Sequence, residues 1–357
     1  MHSVLFAGFG SEIPPRRLTN AEIESFTDTT AAWIETNVGI KTRSRIGASQ
    51  SLSDLGAAAA TKALAMAGVG AREIDFVLCA TNSQDDIFPS TASKIQHQLA
   101  ADRATSMDLQ AGCTGWLYGM RMGTALVQSG QARNVLVVGV ESLIRSLYLY
   151  DRNSALFGDA AGATIITGGR DSTRVRPQTE ATPADSTTNQ NGFAPIFTTH
   201  TTPSFALHHP AIHREELNRV EDYAAGKNMD LVTRPKAVMD GRASMKLALA
   251  TVTRAIDEVL ELARERGVNR EDVKVFVPHQ TNIHVIKKFC DHLGFAFEDV
   301  PLILDKYGCV STASIPTALS EHHAAGRVRP GDLVLCAGYG AGWTAGALLF
   351  RWDIPTA

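Results

Sequence analysis

Short apolar runs bounded by turn residues alternate with helical patterns along this chain. Runs at 4–10, 74–80 and 134–140 predict strands, the last so uniformly apolar that both its faces must be buried. Thr19 followed by Glu22 is a helix-start signal. An alanine-rich helix is predicted over 53–68, opened by serine and closed by glycine, and another over 90–99. Trp116, Leu117, Met120 and Val127 then recur at helical spacing with few polar interruptions, which predicts a buried helix with Cys113 at its N-terminus.

The second half repeats this grammar. Arg72–Leu78 and Arg270–Val277 read alike, each after an alanine- or leucine-rich helix, and Gly112-Cys113 is echoed by Gly308-Cys309. Seventeen positions separate Cys113 from Gly130, and the same number separates Cys309 from Gly326. Each of those glycines leads through a short basic turn into an apolar strand, Val135–Val138 or Leu333–Cys336. Strand–helix units repeated in two halves predict an α/β protein built by internal duplication. The expected organisation is an N-terminal half over 1–172, an insertion or cap over 173–230, rich in Thr, Pro, Asn and His, and a C-terminal half over 231–357.

Composition narrows the function classes. A chain of 357 residues, 44% hydrophobic and 20% charged with a net charge of −3, reads as a soluble protein able to bury a large core. No basic run points to nucleic acid, and no stretch has the length of a membrane span. Five scattered cysteines without paired spacing predict reduced thiols in a cytoplasm, with neither a metal site nor a disulfide framework.

The chemistry is expected around Cys113. Unpaired N–H groups and the positive end of a helix dipole favour a thiolate there; the alternative is an inert, buried cysteine. His279 directly follows the apolar run 275–278, so it stands at a strand end, where α/β proteins place functional groups. It is the candidate general base or oxyanion donor. By the repeat, Cys309 faces the same centre as Cys113. The glycines of 338–346 leave too few residues after them for a dinucleotide-binding unit, so they read as a tight turn presenting backbone N–H groups.

Several segments together resemble the β-ketoacyl-acyl carrier protein synthase III family of the thiolase superfamily. They are residues 31–34 with Trp33, Gly39-Ile40-Lys41-Thr42-Arg43, Phe88-Pro89-Ser90, Ala111-Gly112-Cys113-Thr114-Gly115, residues 157–163, Val277-Pro278-His279-Gln280-Thr281-Asn282, Tyr307-Gly308, Ser311 to Pro316, and Gly340-Ala341-Gly342. The resemblance implies a thiolase-like five-layer αβαβα fold from two duplicated halves, a homodimer, and an acyltransferase fed by coenzyme A thioesters or acyl carrier protein, with no cofactor. It also implies that Cys113 attacks an acyl thioester, with its own N–H and that of Ala341 stabilising the oxyanion. His279 would bind the carbonyl of a malonyl-type thioester during decarboxylative condensation. Trp33 and Arg152 match residues that stack on adenine, Asn282 one near the pantetheine arm, and Phe88 one lining the acyl pocket.

The chain departs from the family pattern where it carries Cys309 in place of an asparagine, since a thiol donates weakly compared with an amide. Asn37 and His284 stand where arginines are expected, and Ala341 where a glycine is. Two alternatives to condensation therefore stand: acyl transfer from Cys113 to an oxygen, nitrogen or sulfur acceptor, and a weakly catalytic partner subunit of a heterodimeric synthase.

Overall fold

The computed structural model describes residues 2–146, 152–169, 194–201, 207–208 and 238–354. The apolar runs become two sheets. The first holds β1 (Val4–Glu12), β2 (Phe76–Ala80), β3 (Thr105–Leu109), β4 (Asn134–Glu141) and β5 (Ala160–Gly168), in spatial order β1-β5-β4-β2-β3. The second holds β6 (Ile196–Thr201), β7 (Val273–Pro278), β8 (Leu333–Gly340) and β9 (Thr344–Arg351), in order β7-β8-β9-β6.

The duplication is visible in strand order and direction. From one edge inward, β1-β5-β4-β2 pair antiparallel, antiparallel, parallel, and β6-β9-β8-β7 pair in the same succession. Ile196–Thr201 lies within the 173–230 stretch expected as an insertion, yet it is the edge strand of the second sheet, pairing with β9 as β1 pairs with β5. Its run lacks an apolar signature because one of its buried positions is Thr198, whose hydroxyl donates to the Ala255 carbonyl at 2.7 Å, and apolar residues occur only at Ile196 and Phe197. Most of the rest of that stretch lies outside the described residues.

Helices fill the faces. The relevant ones are α1 (Ala31–Val38), α2 (Leu52–Ala67), α3 (Thr91–Gln98), α4 (Gly115–Gln128), α5 (Gly241–Arg264), α6 (Ile283–Leu293) and α7 (Ser314–Ala324). α2 and α3 cover the outer face of the first sheet and α5 the outer face of the second, with α6 packed beside it; α4 and α7 lie between the sheets and touch both. The result is five layers. Large side chains pack between the sheets: Phe6, Trp116, Met120, Phe350 and Trp352 are all buried in one cluster there.

The alanine content of α2 has a packing cause. Gly8 and Gly10 of β1 present bare backbone to this helix, and a Cβ on either would come within 2.2–2.3 Å of the Ala63 or Ala59 carbonyl oxygen. Small residues on both surfaces let helix and strand meet at backbone distance. The Gly10→Ala variant is expected to lose stability by about 1–3 kcal/mol or to shift α2, as overpacked cores do; chemical denaturation of the variant checks this, and an unchanged midpoint would contradict the packing account.

Candidate active site

β3 runs out at Leu109, and the chain turns at Gly112 with φ 58°, a left-handed conformation that glycine adopts without steric cost. A Cβ on Gly112 would sit 2.7 Å from the Ala341 backbone nitrogen, and one on Gly340 would sit 2.5 Å from that of Cys113. The 340–342 turn is therefore pressed directly against Cys113, with the Ala341 and Cys113 N–H groups on adjoining backbone. α4 begins two residues later, and its Trp116 N–H donates to Thr312 Oγ1 at 2.7 Å, tying the head of α4 to the turn that precedes α7.

His279 ends β7. Its backbone N–H donates to the Ala337 carbonyl at 2.7 Å, and Gln280 beside it fixes the turn. Gln280 Oε1 accepts from Ile303 and Leu304 N–H at 2.9 and 3.0 Å, and its backbone N–H donates to Ser314 Oγ at 3.0 Å. Cys309 is held on both sides by backbone: its N–H donates to the Leu156 carbonyl at 2.8 Å, and its carbonyl accepts from Gly158 N–H at 3.1 Å. Both chain halves thus place one cysteine just ahead of a central helix.

Burial sets the protonation states. It pushes the Cys113 thiol up to about 12, outweighing the hydrogen bond from Ser311 that lowers it, and the Glu141 charge adds to the rise. Cys113 itself is half-buried, and the packed surroundings of its Sγ make desolvation of the thiolate oppose the lowering expected from a helix N-terminus. Cys309, 2% exposed, is pushed well above the ordinary thiol range by burial and then by Cys113. His279, 1% exposed, is pushed down to about 3 by burial, and neither ring nitrogen has a hydrogen-bond partner. It is a neutral imidazole with its polar atoms free for a ligand. Tyr339 packs edge-on to its ring at 5.7 Å between centroids, stacks on Trp343, and shares a hydrogen bond of 2.6 Å with Thr281.

The residues expected to bind substrate fall into two groups. Arg152 lies over the Trp33 ring, 5.2 Å from its centroid. Asn282 caps α6 by accepting from His284 N–H and donates through Nδ2 to the Asn37 carbonyl at 2.8 Å, so the C-terminal end of α1 and the head of α6 share one rim. Phe88 is different: it is 84% exposed, so it does not wall a buried pocket of its own chain. Sequence reasoning missed Ser311 and Glu141. Ser311 Oγ stands 3.3 Å from Cys113 Sγ and 3.2 Å from Glu141 Oε1. The sequence signal was there for Glu141, an acidic residue closing the fully apolar strand β4. Among the described residues no group of three metal-ligating side chains is placed to hold a metal ion, and no helix is long and apolar enough to cross a membrane.

The chain is similar to known proteins of one family along nearly its whole length. A family described as 3-oxoacyl-[acyl-carrier-protein] synthase III matches residues 107–181, and its C-terminal family matches residues 263–352. The β-ketoacyl-[acyl-carrier-protein] synthase III of Allorhizobium ampelinum is 36% identical over 346 residues, covering 97% of this chain and 98% of that protein. The crystal structure of the Thermus thermophilus synthase III superposes with a TM-score of 0.80 at 33% identity, covering 98% of this chain and 99% of that one. The priming β-ketosynthase of the R1128 polyketide pathway superposes at 0.84 with 30% identity, covering 99% and 97%.

The Glu141 carboxyl, raised from 4.5 to about 7 by burial, makes a signed prediction. Between those values the folded chain holds a proton that the unfolded chain has released, so stability falls as pH rises through that window. A change on the order of 3 kcal/mol follows from the shift. Relative to Glu141→Gln, which cannot titrate, the wild type should lose that amount across the window; denaturation of both proteins at its two ends checks it, and a constant difference would contradict the raised value.

Proposed function

From the chain's membership of the 3-oxoacyl-[acyl-carrier-protein] synthase III family, whose members are condensing acyltransferases, we propose that Cys113 takes an acyl group from a thioester and passes it to a malonyl-type thioester with loss of carbon dioxide. Cys113 Sγ attacks the acyl carbonyl carbon, the charge on oxygen is met by the N–H groups of Cys113 and Ala341, and the donor thiol departs. A malonyl thioester then binds with its carbonyl toward His279. Its carboxylate leaves as carbon dioxide, the electron pair passes into the enolate, and the enolate carbon attacks the acyl group, freeing Cys113 and the 3-oxoacyl product.

The state of His279 carries this reading over simple acyl transfer. Transfer to a hydroxyl or amine needs a base, and an imidazole pushed down to about 3 is a poor one near neutral pH. Condensation needs a neutral N–H donor to a developing enolate, and an unpartnered, buried imidazole fits that task. Cys309 favours the second reading, because it removes an amide donor that the enolate would use.

The Trp33–Arg152 pair offers one planar ring and one guanidinium to an adenine, and Asn282 and His284 border the same rim. Coenzyme A or a carrier protein would deliver its acyl group there. The exposure of Ile87 and Phe88, at 89% and 84%, together with β3 at the outer edge of the first sheet, supports a homodimer. In it, Phe88 would wall the acyl pocket of the partner.

Intact mass after incubation with a panel of acyl-coenzyme A thioesters should show an adduct on the wild type and none on Cys113→Ala. Adding malonyl-coenzyme A should discharge it with release of carbon dioxide. His279→Ala should keep the adduct but condense about 100- to 1000-fold more slowly, the usual cost of losing one such donor. Cys309→Asn should condense faster than wild type. An adduct that yields only to a hydroxyl or amine acceptor would sink the condensation reading and leave acyl transfer in its place.

A further inference from the structure

The proton on Cys113 has to leave during acylation, and His279 is ill suited to take it. The structure holds another path. Ser311 Oγ lies 3.3 Å from Cys113 Sγ and 3.2 Å from Glu141 Oε1, so one hydroxyl spans the gap between thiol and carboxyl. A hydroxyl carries one proton and two lone pairs, and can accept from a thiol while donating to a carboxylate.

Two independent features mark this bridge as built. Ser311 sits at φ 50° while 1% exposed, a left-handed conformation that a non-glycine residue keeps only where its surroundings impose it. That conformation aims its hydroxyl at both partners. Glu141, fully buried at the end of β4, accepts Asn82 Nδ2 at 2.5 Å, Asn82 N–H at 3.1 Å and Ser83 Oγ at 2.6 Å besides Ser311. Every one of these donors is neutral. Asn82 also grips Gly112, accepting its N–H at 3.2 Å and donating to its carbonyl at 3.3 Å, so the carboxyl is coupled to the turn that carries Cys113.

We propose that Ser311 and Glu141 form the proton route of Cys113. As Sγ bonds to the thioester carbonyl carbon, the thiol proton passes to Ser311 Oγ and the Ser311 proton to the Glu141 carboxylate. When the carbon–sulfur bond to the donor breaks, the proton returns along the same path to the departing thiolate. Ser311 is then a catalytic residue, in contact with the reacting sulfur, and Glu141 is a positioning residue that holds the proton through it. The titratable groups around Glu141 are Cys79 on β2, Cys113 and Cys309, each a thiol that burial pushes up and that the Glu141 charge pushes further. Glu141, raised to about 7, is the member of this set that changes charge near neutral pH.

This inference rests on the acyl-enzyme reading, so its test includes a reaction that needs no acyl donor. Single-turnover acylation and alkylation of Cys113 by iodoacetamide, located by peptide mass, are measured against pH for wild type, Ser311→Gly, Glu141→Gln and the double variant. Ser311→Gly removes the hydroxyl while easing the backbone, so its melting temperature should not fall. Each single variant should react about 100-fold more slowly above the Glu141 transition, the low end of what a positioned base contributes. The double variant should be no more than about threefold worse than either single, as for residues that act as one unit. The wild-type rise in rate near the Glu141 transition should vanish in Glu141→Gln. Rates within about threefold of wild type with an unchanged pH profile, or losses that multiply in the double variant, would overturn the relay. Absence of an acyl adduct on the wild type would instead refute the acyl-enzyme, and alkylation would still report on the relay.

Discussion

Withdrawal of the reaction centre from water is the constraint on which the rest depends. Cys113, Glu141, His279 and Cys309 lie where the two sheets and the paired central helices converge, and burial is the first cause of every displaced protonation state among them. The thiols and carboxyl are pushed toward their protonated forms and the imidazole toward its neutral one. A centre in this state carries little formal charge at rest. It is ready to stabilise charge only when a substrate brings it.

The duplicated topology makes such a centre possible. In each half, parallel strands end at the same side of the sheet, and a helix of the middle layer starts there. β2 and β4 end near Cys113, and β7 and β8 end at His279 and the 338–342 turn. Because the sheets face each other across α4 and α7, these ends meet in one place. Backbone then fixes the details: the Gly112 turn against Ala341, the clamp of residues 156–158 on Cys309, and the Thr312 hydroxyl on the head of α4.

Cys309 is held by its surroundings rather than by its own side chain. It is buried, neutral and gripped through its backbone, so the loop would stay in place if another small side chain stood there. Tyr339 stands beside His279 with its hydroxyl engaged by Thr281, which keeps the imidazole edge-on and leaves both its nitrogens open. On the proposed reading, the site keeps the parts an acyl-enzyme would need and alters one that would act on the second substrate.

The sequence by itself determined the strands, the duplication and the two leading candidate site residues. The placement of Cys113 and His279 was legible because each interrupts or ends an apolar run, and burial of such runs leaves their polar neighbours at strand ends or helix starts. The family segments gave the fold for the same reason: they are backbone requirements, such as the Gly112 turn, written as residue types. Tertiary structure decided what depends on distance in space. Ser311 and Glu141 are 170 positions apart, and no local pattern joins them. The β6 strand is polar at four of its six positions, so only pairing with β9 reveals it. Phe88 reads as a pocket residue but stands in solvent, because a single chain has nothing to cover it. The acidity of Cys113 is the sharpest case: a helix N-terminus favours the thiolate, but the desolvation that opposes it is set by the whole five-layer packing, which no local stretch encodes.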